Sequence, residues 1–200
     1  MKIAVYGGTG MVGSQIVAEA LSRGHQVTAV TRSGSGVEGA AARAAELGDR
    51  KAYKEIAGEH DVVVFAIPPS RTGESHEPFV AAHEDIAETL VKARVFIVGG
   101  AGATEVNGVQ LKDTEGFPEA YKPEAEAMSR VLDAYRDASG VNWTMLAPAP
   151  MIAPGTRTGE YKLGADSPAG DSVSTQDFAV AVLDELENPR HENRRFTVAN

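Results

Sequence analysis

The chain has 200 residues, 42% of them hydrophobic and 24% charged. This is the composition of a soluble globular protein, long enough for one core that buries about 70% of the unfolded surface. Nineteen Lys and Arg against 28 Asp and Glu leave a formal charge of −9, which opposes a broad electrostatic grip on nucleic acid or anionic lipid. No cysteine occurs, which excludes disulfides, thiolate nucleophiles, cysteine-bound zinc and iron–sulfur clusters.

The elements read in chain order as an alternation. Met1-Lys2 precedes an apolar run that stops at Tyr6-Gly7-Gly8, too soon for an export signal. No window approaches the ~20 apolar residues of a membrane span, so a cytoplasmic protein is expected, with no membrane partner. Lys2–Tyr6 predicts a strand. Val12, Ile16, Ala20 and Leu21 then share one helical face, which Gly24 stops. Gln26–Thr31 predicts the second strand. The alanine-rich stretch Gly39–Leu47 favours a helix by propensity, yet a complete mononucleotide-binding unit needs a strand there, placed near Arg43–Leu47. Lys51–Ala57 predicts a helix ending at Gly58, Asp61–Ile67 a strand, and Pro78 to about Ala93 a helix carrying Phe79, Ala82, Ile86 and Leu90. Arg94–Val98 and Asn142–Ala147 predict strands on either side of a long helix, Glu119–Ala138. Ser174-Thr175-Gln176-Asp177 opens a last helix that Pro189 closes before the strand Arg195–Ala199. Segments 34–39, 153–159 and 164–170 read as loops. Strands that are continuous apolar runs alternating with helices predict an α/β fold: a doubly wound, mostly parallel sheet of Rossmann type with helices on both faces. One domain, residues 1–200, is expected.

Gly7, Gly10 and Gly13 stand where the first strand runs into the first helix. There the first glycine permits a tight turn, the second lets backbone approach a pyrophosphate, and the third lets helix and strand pack closely. The helix start then offers free N–H groups and partial positive charge to phosphates, so Gly7, Thr9, Gly10, Met11, Val12 and Gly13 are candidate cofactor contacts. NAD sites place an acid after the second strand and NADP sites a cation. Here that position is Arg32, with Thr31, Ser33 and Ser35 beside it, so NADP(H) is expected over NAD(H); an exposed loop arginine is the plainer reading. Ala66-Ile67-Pro68 ends the fourth strand where bound cofactor must pass.

These features resemble the atypical short-chain dehydrogenase/reductases with an NAD(P)H-binding domain, the group of NADH-flavin reductase-like, biliverdin reductase B-like and NmrA-like proteins. The resemblance spans nearly the whole chain through Gly7–Gly13, Arg32, Gly48-Asp49, Val98–Gly102, Leu146–Gly155, Ser174–Leu186 and Arg194–Val198. It implies that Asp49, with Arg50 beside it, meets the adenine, although Asp49 also suits a helix cap. It also implies that Gly99, Pro148 and Ala149 lie against the nicotinamide. The acceptor would then be bounded by segments 69–77, 99–105 and 151–161, with Gly100 and Met151 as candidate substrate contacts. A small substrate-side region is expected mainly from residues 103–120 and 148–173.

The standard members of that superfamily use a tyrosine with a lysine four residues on. Here Tyr121 is followed at that distance by Ala125, while Lys122 is adjacent and faces elsewhere. No hydroxyl follows the fifth strand until Thr104. Tyr121 is therefore a catalytic candidate only by position, with a helix-surface aromatic as the alternative. His83 could border the substrate pocket. His76 and His83 lack the spacing of a His-Glu-x-x-His zinc site, so no metal is expected and a solvated helix face is the plain reading of both. Hydride transfer to a flavin or quinone asks mainly for the stacking of two rings. The sequence thus points to an NADPH-dependent reductase with a small acceptor such as a flavin, working as a monomer or homodimer. The alternative is an NmrA-like redox sensor that binds the dinucleotide without turnover.

Overall fold

The computed structural model describes residues 1–200. In chain order the strands and helices are β1 (Lys2–Tyr6), α1 (Gly13–Ser22), β2 (Gln26–Thr31), β3 (Ala41–Ala44), α2 (Arg50–Glu59), β4 (Val62–Phe65), α3 (Glu77–Glu88), β5 (Arg94–Val98), β6 (Glu105–Val106), β7 (Val109–Gln110), α4 (Lys122–Asp137), β8 (Trp143–Pro148), β9 (Met151–Ala153), β10 (Lys162–Gly164), β11 (Ser172–Ser174), α5 (Thr175–Glu187) and β12 (Arg194–Ala199). Eight strands form the main sheet in the order β10-β12-β8-β5-β4-β1-β2-β3. Seven of them run parallel and only β10 pairs antiparallel, on β12. The pairs β9–β11 and β6–β7 stand apart as two-stranded sheets.

Both faces of the sheet are covered, and the strand period of two divides the core accordingly. Ile3 and Val5 of β1 pack with Ile16 and Val17 of α1 and Phe178, Val182 and Leu183 of α5. Ala4 and Tyr6 face the other way, into a layer with Tyr53 and Ile56 of α2, Val80 and Ile86 of α3, and Val131 and Leu132 of α4. Each fully buried side chain of this size contributes roughly 1.5–3 kcal/mol. Chain order reverses at β1, which pairs with β2 on one side and β4 on the other. In a doubly wound sheet this is where a crevice opens beyond the strand carboxyl ends.

Several boundaries depart from the sequence expectation. The strand placed near Arg43–Leu47 lies at Ala41–Ala44, pairing with Thr28–Thr31; backbone pairing along β2 overrides alanine's helical preference. Helix α2 runs through Gly58 to Glu59. Helix α3 stops at Glu88, not near Ala93, because Thr89 turns extended and its hydroxyl donates to the Asp85 carbonyl at 2.7 Å. Leu90 consequently lies 71% exposed instead of on the buried face. Residues 119–121 form a 3-10 turn before α4.

Candidate functional site

The glycine turn joins β1 to α1 at the point of reversal. Gly7 has φ +75°, a conformation open to glycine, and a Cβ there would lie 2.7 Å from the Ala66 carbonyl oxygen. A Cβ on Gly13 would lie 2.1 Å from the Gly7 carbonyl oxygen. Helix and turn are therefore in backbone contact, as the spacing requires. Gly10 N–H donates to Gly7 at 2.8 Å, whereas the amides of Thr9, Met11, Val12 and Gly13 donate to nothing in the chain. Val12 caps α1 without a side-chain bond, and the first turn holds no acid. A row of unpartnered donors at a helix start, closely backed by another backbone, suits a diphosphate.

Arg32 leaves the end of β2 exposed and enters no ion pair, unlike Arg23, Arg43, Arg50 and Arg71. The adjoining loop is ordered by the hydroxyls of Ser33 and Ser35, 2.6 Å apart, and by Thr31 Oγ1 donating to the Ser35 carbonyl at 3.2 Å. Asp49 caps α2, accepting from Ala52 N–H at 3.0 Å. Arg50 is held by Asp85 of α3 at 2.6 Å. Ala66 is buried, with Ile67 half-buried and Pro68 exposed beside the turn.

At the ends of β5 and β8 the walls are small and apolar. A Cβ on Gly99 would meet Met145 Cγ at 2.9 Å, and one on Gly100 would meet Met128 Cγ at 3.1 Å. Pro148 ends β8 and Ala149 is buried behind it, while Met151 is 67% exposed. Tyr121 is 60% exposed at the start of α4. Position 125, where a lysine partner would stand, is an alanine whose Cβ lies 2.4 Å from where a Gly102 side chain would begin, and Lys122 pairs with Glu119. No tyrosine–lysine pair is assembled.

His83 does not border the site. It is 1% exposed, with its ring edge-on to Phe65, Phe79 and Tyr135 and its Nδ1 at 3.1 Å from the Tyr135 hydroxyl. Burial pushes its pKa down to about 3, so the ring is neutral. His76 is not a solvated face either: both of its ring nitrogens touch carbonyl oxygens.

Segments 103–120 and 148–173, expected on the substrate side, are tied to β12 and α1 by charged residues that no local sequence pattern announces. Arg195 of β12, 5% exposed, donates to the Ala103 carbonyl and to the Asp166 carboxylate, and Glu105 N–H donates to the Asp166 carbonyl at 2.8 Å. Glu19 of α1, 6% exposed, accepts two bonds from Arg157, at 2.7 and 2.8 Å, and one from Arg23 at 2.8 Å. The hydrogen bond from Arg157 holds the Glu19 carboxyl below its ordinary range. Fully buried Asp177 accepts from the amides of Thr158 and Gly159, the Thr158 hydroxyl and Asn200. Two clefts elsewhere, one at the amino ends of β1 and β2 and one between α3 and α4, do not touch the glycine turn.

A glycine turn with free amides at the reversal point of a doubly wound sheet defines the dinucleotide-binding α/β proteins. Residues 7–189 match the model of the NAD(P)H-binding family, and the chain belongs to that family. It is 36% identical to the uncharacterized Bacillus subtilis protein YwnB, over 100% of this chain and 99% of that one. Among solved structures it is similar to a candidate exported protein of Burkholderia pseudomallei, at 37% identity and TM-score 0.88 with 100% of both chains covered. It is also similar to a candidate NADH-flavin reductase of Streptococcus pneumoniae, at 30% identity and TM-score 0.91, covering 100% of this chain and 99% of that one. No helix is long and apolar enough to cross a membrane.

Proposed function

We propose that the protein is an NADPH-dependent reductase that delivers reducing equivalents to a small planar acceptor such as a flavin or quinone. The observation that carries this reading is the row of unpartnered amides at Thr9, Met11, Val12 and Gly13, set against the Gly7 carbonyl with no room for a side chain. When bound, reduced nicotinamide supplies a hydride. The chain's own residues then have three tasks. The turn fixes the diphosphate by directed N–H groups and the α1 dipole. Arg32, free of carboxylates, grips a ribose phosphate. The glycine, alanine and proline surfaces at the ends of β5 and β8 leave a flat space beside the nicotinamide and offer no acid, which suits an acceptor that needs orientation more than protonation. Gly100 and Met151 would touch that acceptor, Asp49 the adenine, and the region around it would come from residues 103–120 and 148–173 of one domain. Tyr121 contributes at most a surface contact.

The test is NADPH oxidation followed by absorbance with FMN, riboflavin and a quinone. Turnover with at least one is expected. Arg32→Ala should weaken NADPH binding roughly 10- to 100-fold, the range of a charge-assisted hydrogen bond, and leave NADH unchanged. Equal weakening of both would remove the NADPH preference.

The missing tyrosine–lysine pair specifically favours a second reading, an NmrA-like sensor. Tight NADPH binding without turnover on any acceptor would support it over the reductase. A cytoplasmic monomer or homodimer without nucleic-acid or membrane partners is proposed in either case.

A further inference from the structure

Of the five histidines, four meet groups that suit an ordinary ring. His60 Nδ1 lies 2.7 Å from the Ile56 carbonyl, while its Nε2 faces the Thr28 hydroxyl, which can donate. His83 meets the Tyr135 hydroxyl, His191 the Glu185 carboxylate, and His25 the amino terminus and Glu187. His76 differs. Its Nδ1 lies 3.0 Å from the Pro123 carbonyl and its Nε2 2.8 Å from the Ser70 carbonyl. Carbonyl oxygens only accept and a neutral imidazole has one N–H, so a neutral ring would press a lone pair against one of them. Only the imidazolium makes both bonds.

The two carbonyls belong to different parts of the wall. Ser70 lies in the segment that leaves the carboxyl end of β4, directly after Ala66–Pro68, and Pro123 opens α4 beside Tyr121. We propose that His76 is a positioning residue which, as an imidazolium, staples segment 69–76 to the start of α4 and sets the acceptor-side wall of the crevice in a pH-dependent way. The consequence for an acceptor rests on the reductase reading; the staple does not.

The charged groups facing His76 are otherwise matched. From its own segment Arg71 grips Glu124 of α4 through two bonds, at 3.0 and 2.8 Å, and Glu74 accepts from the Ser70 hydroxyl at 3.2 Å. From α3 Glu77 pairs with Arg130 of α4, and at the start of α4 Lys122 pairs with Glu119 beside the Tyr121 phenol. Carboxylates, guanidiniums, ammonium groups and phenols ordinarily change charge outside the interval about pH 5–8 where imidazole does. When the ring loses one N–H, one tie becomes a repulsion, and the segment keeps the remaining His76 bond and the Arg71–Glu124 fastening.

The experiment is nitrogen-15 relaxation of the full chain at about pH 6 and about pH 8.5, which reads the backbone order of residues 69–76 directly, since their amides donate no backbone hydrogen bond. In the wild type, the order parameters of residues 69–76 should fall from about 0.85 toward about 0.6 on raising the pH. His76→Ala removes no helix cap, since the side chain makes none, and should show the loosened level at both pH values. Arg71→Ala should be looser at both yet keep the difference. Nitrogen-15 spectra at about pH 6 should show both His76 ring nitrogens protonated. Wild-type order indifferent to pH, or a pH difference that survives in His76→Ala, would overturn the staple. NADPH titration of the same samples reads the reductase proposal separately: absent binding would remove that proposal and leave the staple standing.

Discussion

A single added carbon at position 13 would lie 2.1 Å from a carbonyl oxygen, closer than any relaxed contact, so either the turn or the helix must move. Gly13→Ala should therefore weaken NADPH by about tenfold or more, one step of roughly 1.4 kcal/mol, and lower stability as well; a titration and a thermal melt check both effects. The role of this residue was legible in the sequence because it depends on neighbours within seven positions. That of His83 was not. Its burial depends on Phe65 and Tyr135 arriving from other elements to join Phe79 of its own helix, and without a zinc-site spacing a solvated face was the plain reading.

The buried neutral ring of His83 has a measurable consequence for pH. The unfolded chain protonates His83 near the ordinary value of about 6.5, whereas the folded chain resists down to about 3. The unfolded state thus binds more protons in that window, and stability is lost as pH falls from about 6.5, at up to about 1.4 kcal/mol per unit. Denaturant unfolding at several pH values should show this slope. His83→Phe, which keeps an aromatic ring but cannot titrate, should flatten it; an unchanged slope would assign the acid sensitivity to other groups.

At the scale of elements, what crosses between helices and loops decides how the crevice is framed. Glu19 joins helix α1 to the segment carrying Arg157, and removing its carboxylate leaves Arg157 without an ion-pair partner, while Arg23 keeps Asp184 and Glu187. Glu19→Ala should cost roughly 1–3 kcal/mol, below the full range for a broken buried pair because Arg157 is 53% exposed. Chemical denaturation measures it. The long strands and helices were legible because apolar periodicity is a local property: β1, β2 and β5 lie where the pattern placed them. The short edge strand β3 was expected from the topology near Arg43–Leu47 and lies at Ala41–Ala44, whereas β10 and the two small sheets were not legible, since two or three residues carry no period and β10 and β9 pair with distant partners. Distance along the chain likewise hides the contact of Arg195 with Asp166, which ties β12 to the segment after β10.

For the whole molecule, one sheet with two covered faces leaves the strand carboxyl ends as the place where backbone donors can remain open, and the glycine turn lies there at the point of reversal. A formal charge of −9 opposes a broad grip on polyanions, yet it does not oppose one small anion held by directed amides. The proposal is thus geometric: the dinucleotide's diphosphate would rest on the Thr9, Met11, Val12 and Gly13 amides, and its ribose phosphate beside Arg32. A crystal structure grown with saturating NADPH tests this most directly. Diphosphate oxygens within hydrogen-bonding reach of those amides, with the Arg32 guanidinium on the ribose phosphate, is the predicted result. A nucleotide seated elsewhere, or a turn closed by one of the chain's own side chains, would contradict it.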